Sequence, residues 1–247
     1  MDTWFPTTTA TPLGSPWLAV SNIRGQLNAL EAVLAEVSKL PLAGIIAAGD
    51  HCFGGPDPFA VWRRLRELEV HMVRGKTDLA LGTLKENQVT FSSKNDENRW
   101  RAFMATRDAL GDVVCRRLAE LPKTEVVSLD DQSGIMVQHV LPAEERRGAF
   151  FKGRGLPEED DLKALTNCVA EDVLVFGSLE TPFQQTLVHE QTQALLVVAP
   201  GSVGAQTASQ MRHLAAHAVL IQAFSDGVVR AAPRSISFSA VEVRNVG

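Results

Sequence analysis

Five short segments hold the side chains able to do chemistry, and each follows an apolar run: Ser21-Asn22-Ile23-Arg24-Gly25, Gly49-Asp50-His51, Gly75-Lys76-Thr77-Asp78, Gln138-His139-Val140 and Gly177-Ser178-Leu179-Glu180. Carboxylates and imidazoles, which bind metals and move protons, stand there beside Arg24 and Lys76, which attract anions. In an open α/β sheet, ligands sit at the carboxyl ends of the strands, so loops in these positions belong to one edge. The remaining histidines read differently. His213 and His217 are four apart, but no Glu stands beside the first as in HExxH, and both read as ordinary side chains. His71 and His189 lie inside apolar runs and read as core or edge residues, while His51 beside Asp50 is placed to line the same pocket.

The elements that must position these loops follow from hydrophobic period. The run at Trp17 to Ser21 predicts a strand, and Leu27, Leu30, Val33, Leu34, Val37 and Leu40 then repeat at helical spacing. A second apolar run over 42–49 ends in the Gly- and Pro-rich GDHCFGGPDP, an amphipathic segment covers 59–68, and a third run covers 70–75. This opening reads β-α-β-α-β, which implies parallel strands with right-handed crossovers. Residues 85–101 are polar and read as a loop feeding a helix over 101–121. The short, closely spaced apolar runs from Glu125 onward read as strands, several of them antiparallel. A charged loop over 142–161 and a short helix near 162–168 interrupt them.

Composition narrows the function classes. The 247 residues are 45% hydrophobic and 21% charged, as in an ordinary globular chain, and are read as a loosely ordered N-terminal arm over 1–16 and one domain over 17–247. A net charge of −5 provides no field to attract nucleic-acid phosphates or an anionic membrane, and no run approaches the roughly 18 apolar residues of a membrane span. Cys52, Cys115 and Cys168 form no CxxC pair and are expected as buried, reduced thiols of a cytoplasmic protein.

The order of the five loops resembles that of the calcineurin-like metallophosphoesterases, in particular the small bacterial and archaeal phosphodiesterase branch, whose loops read SDIHGN, GD…GP, GNHD, an isolated His and GHTH. Further matches run along the chain from about Trp17. They are Gln26 to Leu34 at the family's first helix, Gly55-Pro56-Asp57-Pro58 after the second strand and Leu121-Pro122 before a later one. Thr181-Pro182-Phe183 after the GHTH position and the late turn Pro200-Gly201-Ser202-Val203-Gly204 complete them. The resemblance implies a four-layer αββα sandwich and, in the family, a two-metal centre built by the Asp and His of DxH, the Asp of GD, the Asn of GNH, the isolated His and both His of GHxH.

Carried onto this chain, those positions fall on Asn22 and Arg24, Asp50, Lys76 (with Thr77 where the family's acid stands), His139, and Ser178 and Glu180. Only Asp50 and His139 keep the family's residue type. Arg24 cannot release its proton to coordinate a metal, Lys76 would have to, and Thr77 is no acid near neutral pH. No binuclear metal cofactor is expected. The chain therefore reads as a catalytically degenerate binding or regulatory protein in which Asp50 and Glu180 pair, in either combination, with Arg24 and Lys76, whose charges so replace the metals. The alternative is a weak phosphodiesterase holding one divalent ion such as Mn or Zn on Asp50, His139 and Glu180. Arg24 and Lys76 also suggest an anion site, hence a phosphate-containing small molecule as partner; a protein partner and a homo-oligomer are equally compatible with the sequence.

Overall fold

The structure, a computed structural model, describes residues 4–6, 8–130, 133–141, 156–188, 194–204 and 214–238. Two five-stranded mixed sheets pack face to face. The first has the order β10-β9-β1-β2-β3, with β1 (Pro12–Val20), β2 (Gly44–Ala48) and β3 (His71–Val73) parallel, β9 (Leu214–Phe224) antiparallel to β1, and the edge strand β10 (Val229–Phe238) antiparallel to β9. The second has the order β4-β5-β6-β8-β7, built from β4 (Thr124–Ser128), β5 (Gly134–Gln138), β6 (Val173–Phe176), β7 (Phe183–Val188) and β8 (Ala194–Ala199). Strands β5, β6 and β8 run parallel, flanked by antiparallel β4 and β7.

The layering follows from strand alternation, because successive side chains point to opposite faces. Trp17, Ala19, Ile46, Ala48, Val173 and Val175 enter the core between the sheets. Their neighbours Leu18, Val20 and Ala47 face outward beneath α1 (Leu27–Val37), α2 (Pro58–Glu67), α3 (Lys76–Thr83) and α4 (Lys94–Glu120). On the other side Leu174 and Phe176 face Leu162 and Leu165 of α5 (Glu159–Leu165). Strands buried on both faces read as continuous apolar runs, as VLVF and ALLVVA do. Each fully buried Leu, Ile or Phe contributes about 1.5–3 kcal/mol, so three such cores hold the layers together.

Four expectations need correction. The first strand starts at Pro12, pairs with β9 from its first residue, and takes in the last five residues expected as arm; Phe5 packs edge-on to Phe224 at 5.4 Å. Helix α3 starts at Lys76, inside the segment Gly75–Asp78 expected as a loop; KTDLALGT has no apolar stripe and is held instead by Leu81 and the buried Asp78. Helix α4 begins at Lys94, where Ser93 accepts a hydrogen bond from the Asp96 N–H at 3.2 Å, and it is broken at Gly111, whose φ is 74°. Cys168 is exposed, whereas Cys52 and Cys115 are buried as expected. Burial, reinforced by Asp78, pushes the Cys52 thiol well up from its usual value.

Candidate functional site

The loops after β1 and β2 continue the parallel ladder beyond the strands. Asn22 N donates to Gly49 O at 3.0 Å, Arg24 N to Asp50 O at 3.1 Å and Gly25 N to His51 O at 2.8 Å. This zipper forces Asn22, Arg24 and Asp50 into left-handed backbone, with φ of 50°, 55° and 57°. Asn and Asp tolerate that region, but for Arg24 it is a strained conformation, of the kind that clusters at sites where surrounding contacts over-determine the backbone.

The second sheet closes onto this edge. A Cβ added to Gly177, just after β6, would lie 1.8 Å from the Ala48 carbonyl oxygen, so only glycine allows the two sheet ends to meet. Asn22 crosses the seam by donating from Nδ2 to the carbonyls of Gly177 at 2.7 Å and Leu179 at 3.1 Å. His139 Nδ1 stands 2.7 Å from the Ala48 carbonyl, a contact only a protonated Nδ1 can make, which leaves Nε2 directed at Asp50 Oδ2, 3.6 Å away.

The charged residues then divide. Arg24 grips Glu180 with both terminal nitrogens, Nη1 donating to Oε2 at 2.9 Å and Nη2 to Oε1, and Nη1 also reaches Ser202 Oγ at 3.4 Å. The Arg24 side chain is only 16% exposed, so this guanidinium is committed within the protein. Asp50 instead accepts at Oδ1 from Thr77 N at 3.0 Å and Thr77 Oγ1 at 2.8 Å. Burial works against its ionisation. His139, the two Thr77 hydrogen bonds and Arg24 together outweigh burial and hold the carboxyl below its usual range.

The expected pairing of both cations is therefore half correct. Arg24 meets Glu180, but Lys76 is exposed and forms an ion pair with neither Asp50 nor Glu180. Of the two cations expected at an anion site, Arg24 gives one N–H from each terminal nitrogen to Glu180, while Lys76 stays exposed. Ser178 is half-buried between the two carbonyls that Asn22 binds. Among the described residues no group of three or more His, Cys, Asp or Glu is placed to hold a metal, so Asp50, His139 and Glu180 do not form the three-ligand set.

Asp78 carries a role the sequence did not disclose. Wholly buried, it accepts from Asp50 N and Gly75 N at 2.8 Å each through Oδ2, and from His51 N at 3.0 Å through Oδ1. The only sequence signal is its place three residues after Gly75, where a first-turn acidic residue caps a helix. His51 does not line the pocket: it is fully buried, with Nε2 2.9 Å from the Val73 carbonyl. His71 lies away from the site against Glu125, at 2.7 Å, and His189 and His213 fall outside the described residues. His217 is half-buried and 2.8 Å from Ser235 Oγ; burial lowers its pKa, and Glu180 partly offsets this.

A pocket of about 120 Å3 opens beside the Asp50–His139 pair, lined by Arg74, Gly75, Lys76, Lys123, Gln138 and His139. The fold has counterparts among solved structures. A hypothetical protein from Pyrococcus horikoshii superposes with a TM-score of 0.71 at 19% identity, over 91% of this chain and 89% of that one. A metallophosphoesterase from Sphaerobacter thermophilus superposes with a TM-score of 0.64 at 18% identity, over 92% and 89%. The fold is that of the metallophosphoesterases. No protein-family model matches the sequence, and no curated protein sequence does. At these identities the likeness is one of fold, and the chemistry has to be argued from the side chains of this metallophosphoesterase-fold chain itself.

Proposed function

We propose that this metallophosphoesterase-fold protein is a non-catalytic binding or regulatory protein whose metal centre is replaced by side-chain charge. The observation that carries the reading is the bidentate Arg24–Glu180 pair, which sets a permanent cation and its counter-ion where the fold's relatives would have two histidines. The donors present do not suit a binuclear centre. Asn22 gives its amide to backbone carbonyls, Glu180 gives both oxygens to Arg24, and Lys76 brings a further positive charge. Three free cysteines, two of them buried, fit a reducing compartment such as the cytoplasm. No helix among the described residues is long and apolar enough to cross a membrane.

One observation favours a second reading, a weak phosphoesterase with a single ion. His139 has the second-sphere carbonyl partner that metal-ligating histidines have, with Nε2 and an Asp50 oxygen facing one space. The two readings separate in one experiment on the purified protein: metal content, and turnover of bis-p-nitrophenyl phosphate in added manganese. The first predicts no stoichiometric metal and no turnover above buffer. Stoichiometric manganese with turnover abolished in Asp50→Asn would overturn it in favour of the second.

A further inference from the structure

The loop after β2, the first turns of α3 and the first half of α4 enclose a second cavity, of about 330 Å3. That is the lower range of small-molecule sites, which run from about 300 to 1,000 Å3. Its walls are aromatic. Trp100 and Phe103 stack at 5.3 Å with 19° between ring planes, Phe53 meets Phe103 edge-on at 5.5 Å, and Phe91 tilts over Trp100 at 6.3 Å while remaining 40% exposed. Aromatic clusters of this size are normally closed into a core, and here one flank faces solvent.

Charge at the cavity is specific as well. Lys76 and Arg99 line it and both are exposed, whereas the single carboxylate present, Asp96, already accepts the Ser92 N–H at 3.1 Å. Thr77 also lines the cavity and holds Asp50 through two hydrogen bonds, so the aromatic pocket abuts the Asp50–His139 half of the strand-end site. A cavity walled by aromatic rings with two cations at it fits an apolar ring against the walls and an oxyanion for the cations, Arg99 offering two parallel donors to one phosphoryl group.

We propose that this cavity is a binding site for a small aromatic ring carrying a phosphoryl group, such as a nucleoside monophosphate. The ring stacks against Phe91 and Trp100 and the phosphoryl oxygens meet Lys76 and Arg99. This goes beyond the non-catalytic reading and does not depend on it: hydrolysis of the ligand in manganese would overturn that reading and leave the site standing.

Calorimetric titration of the full chain with AMP, adenosine and ribose 5-phosphate, at fixed ionic strength with and without manganese, tests the site. AMP is expected to saturate, with adenosine and ribose 5-phosphate each at least tenfold weaker. Lys76→Ala and Arg99→Ala should weaken AMP several-fold and leave adenosine unchanged, and exposed Phe91→Ala should weaken both. Arg101→Ala, on the same helix but paired with Glu97 and outside the cavity, should change neither. Circular dichroism confirms that each variant folds. No saturable AMP binding, or AMP binding indifferent to all three cavity substitutions, overturns the proposal.

Discussion

Within one site, Arg24 and Glu180 on one side and Asp50 and His139 on the other treat charge in opposite ways. The first two neutralise each other at hydrogen-bond distance and close their side of the cleft. The second two stand 3.6 Å apart, too far for a hydrogen bond, and Asp50 takes its support from Thr77. One half is thus complete in itself, and the other keeps acceptor capacity that its own neighbours do not use up. Both cavities at the site border the second half, through His139 and Lys76 in one case and Lys76 and Thr77 in the other. The ligand site proposed above accordingly lies on that side of the cleft.

The largest effect that probes this division lies under the open half. Asp78 satisfies three backbone N–H groups that set the positions of Asp50, His51 and Gly75, and it is wholly buried. Asp78→Ala should destabilise the protein by about 3–5 kcal/mol in urea unfolding, since three donors would be left without partners and charge-assisted bonds are among the stronger ones. Asp78→Asn should fall between, because its one acceptor oxygen replaces two and its NH2 would face an N–H donor. A loss under 1 kcal/mol in Asp78→Ala would mean that the loops after β2 and β3 are held by something other than this carboxylate.

Next in size is the coupling within the closed half. A double-mutant cycle of Arg24→Ala and Glu180→Ala should give an interaction energy of about 1–3 kcal/mol, the range for neighbours sharing a charged contact. Exposure of Glu180 at 35% favours the lower end through solvent screening. Arg24→Gly should be more stable than Arg24→Ala by about 1 kcal/mol, because glycine accepts the φ of 55° without strain. Additive single mutants would show that the pair contributes nothing beyond its separate parts and would break the contrast between the halves.

Much of the sandwich was legible in the sequence, because strands buried on both faces leave unbroken apolar runs and helices over a sheet leave a 3.6-residue period. Helix α3 was not, since it lacks a stripe, and β10 runs through Pro233, tolerable because β10 pairs on one side only. At the site, sequence order put Asn22, Arg24, Asp50, Lys76, His139 and Glu180 on strand-end loops but could not say which cation would meet which carboxylate. That depends on where the second sheet closes over Gly177. The partner of Asp78 is backbone, and backbone partners leave no trace in residue type. The aromatic cavity escaped because Phe91, Trp100 and Phe103 straddle the start of α4, within and just beyond a stretch that reads as polar loop.

The smallest effect sharpens the comparison by pH. Burial opposes the charge on Asp50, but His139, Thr77 and Arg24 more than offset it, so the folded state releases this proton more readily than the unfolded chain, whose carboxyl keeps the ordinary 3.8. A carboxyl with a lowered folded pKa contributes stability that is fully present above the unfolded value and is lost as pH falls through the folded one. Asp50→Asn keeps an acceptor for Thr77 but has no charge, and should cost about 1 kcal/mol at pH 7, the difference between a charge-assisted and a neutral hydrogen bond. That cost should hold constant down to about pH 5 and shrink below 3.8, as the wild-type chain becomes neutral at the same position. Urea unfolding of both proteins at fixed pH values from 3 to 7 measures it. A cost that instead grows toward acid would mean that Asp50 holds its proton in the folded state, and the open half would then carry no fixed negative charge to set against Lys76.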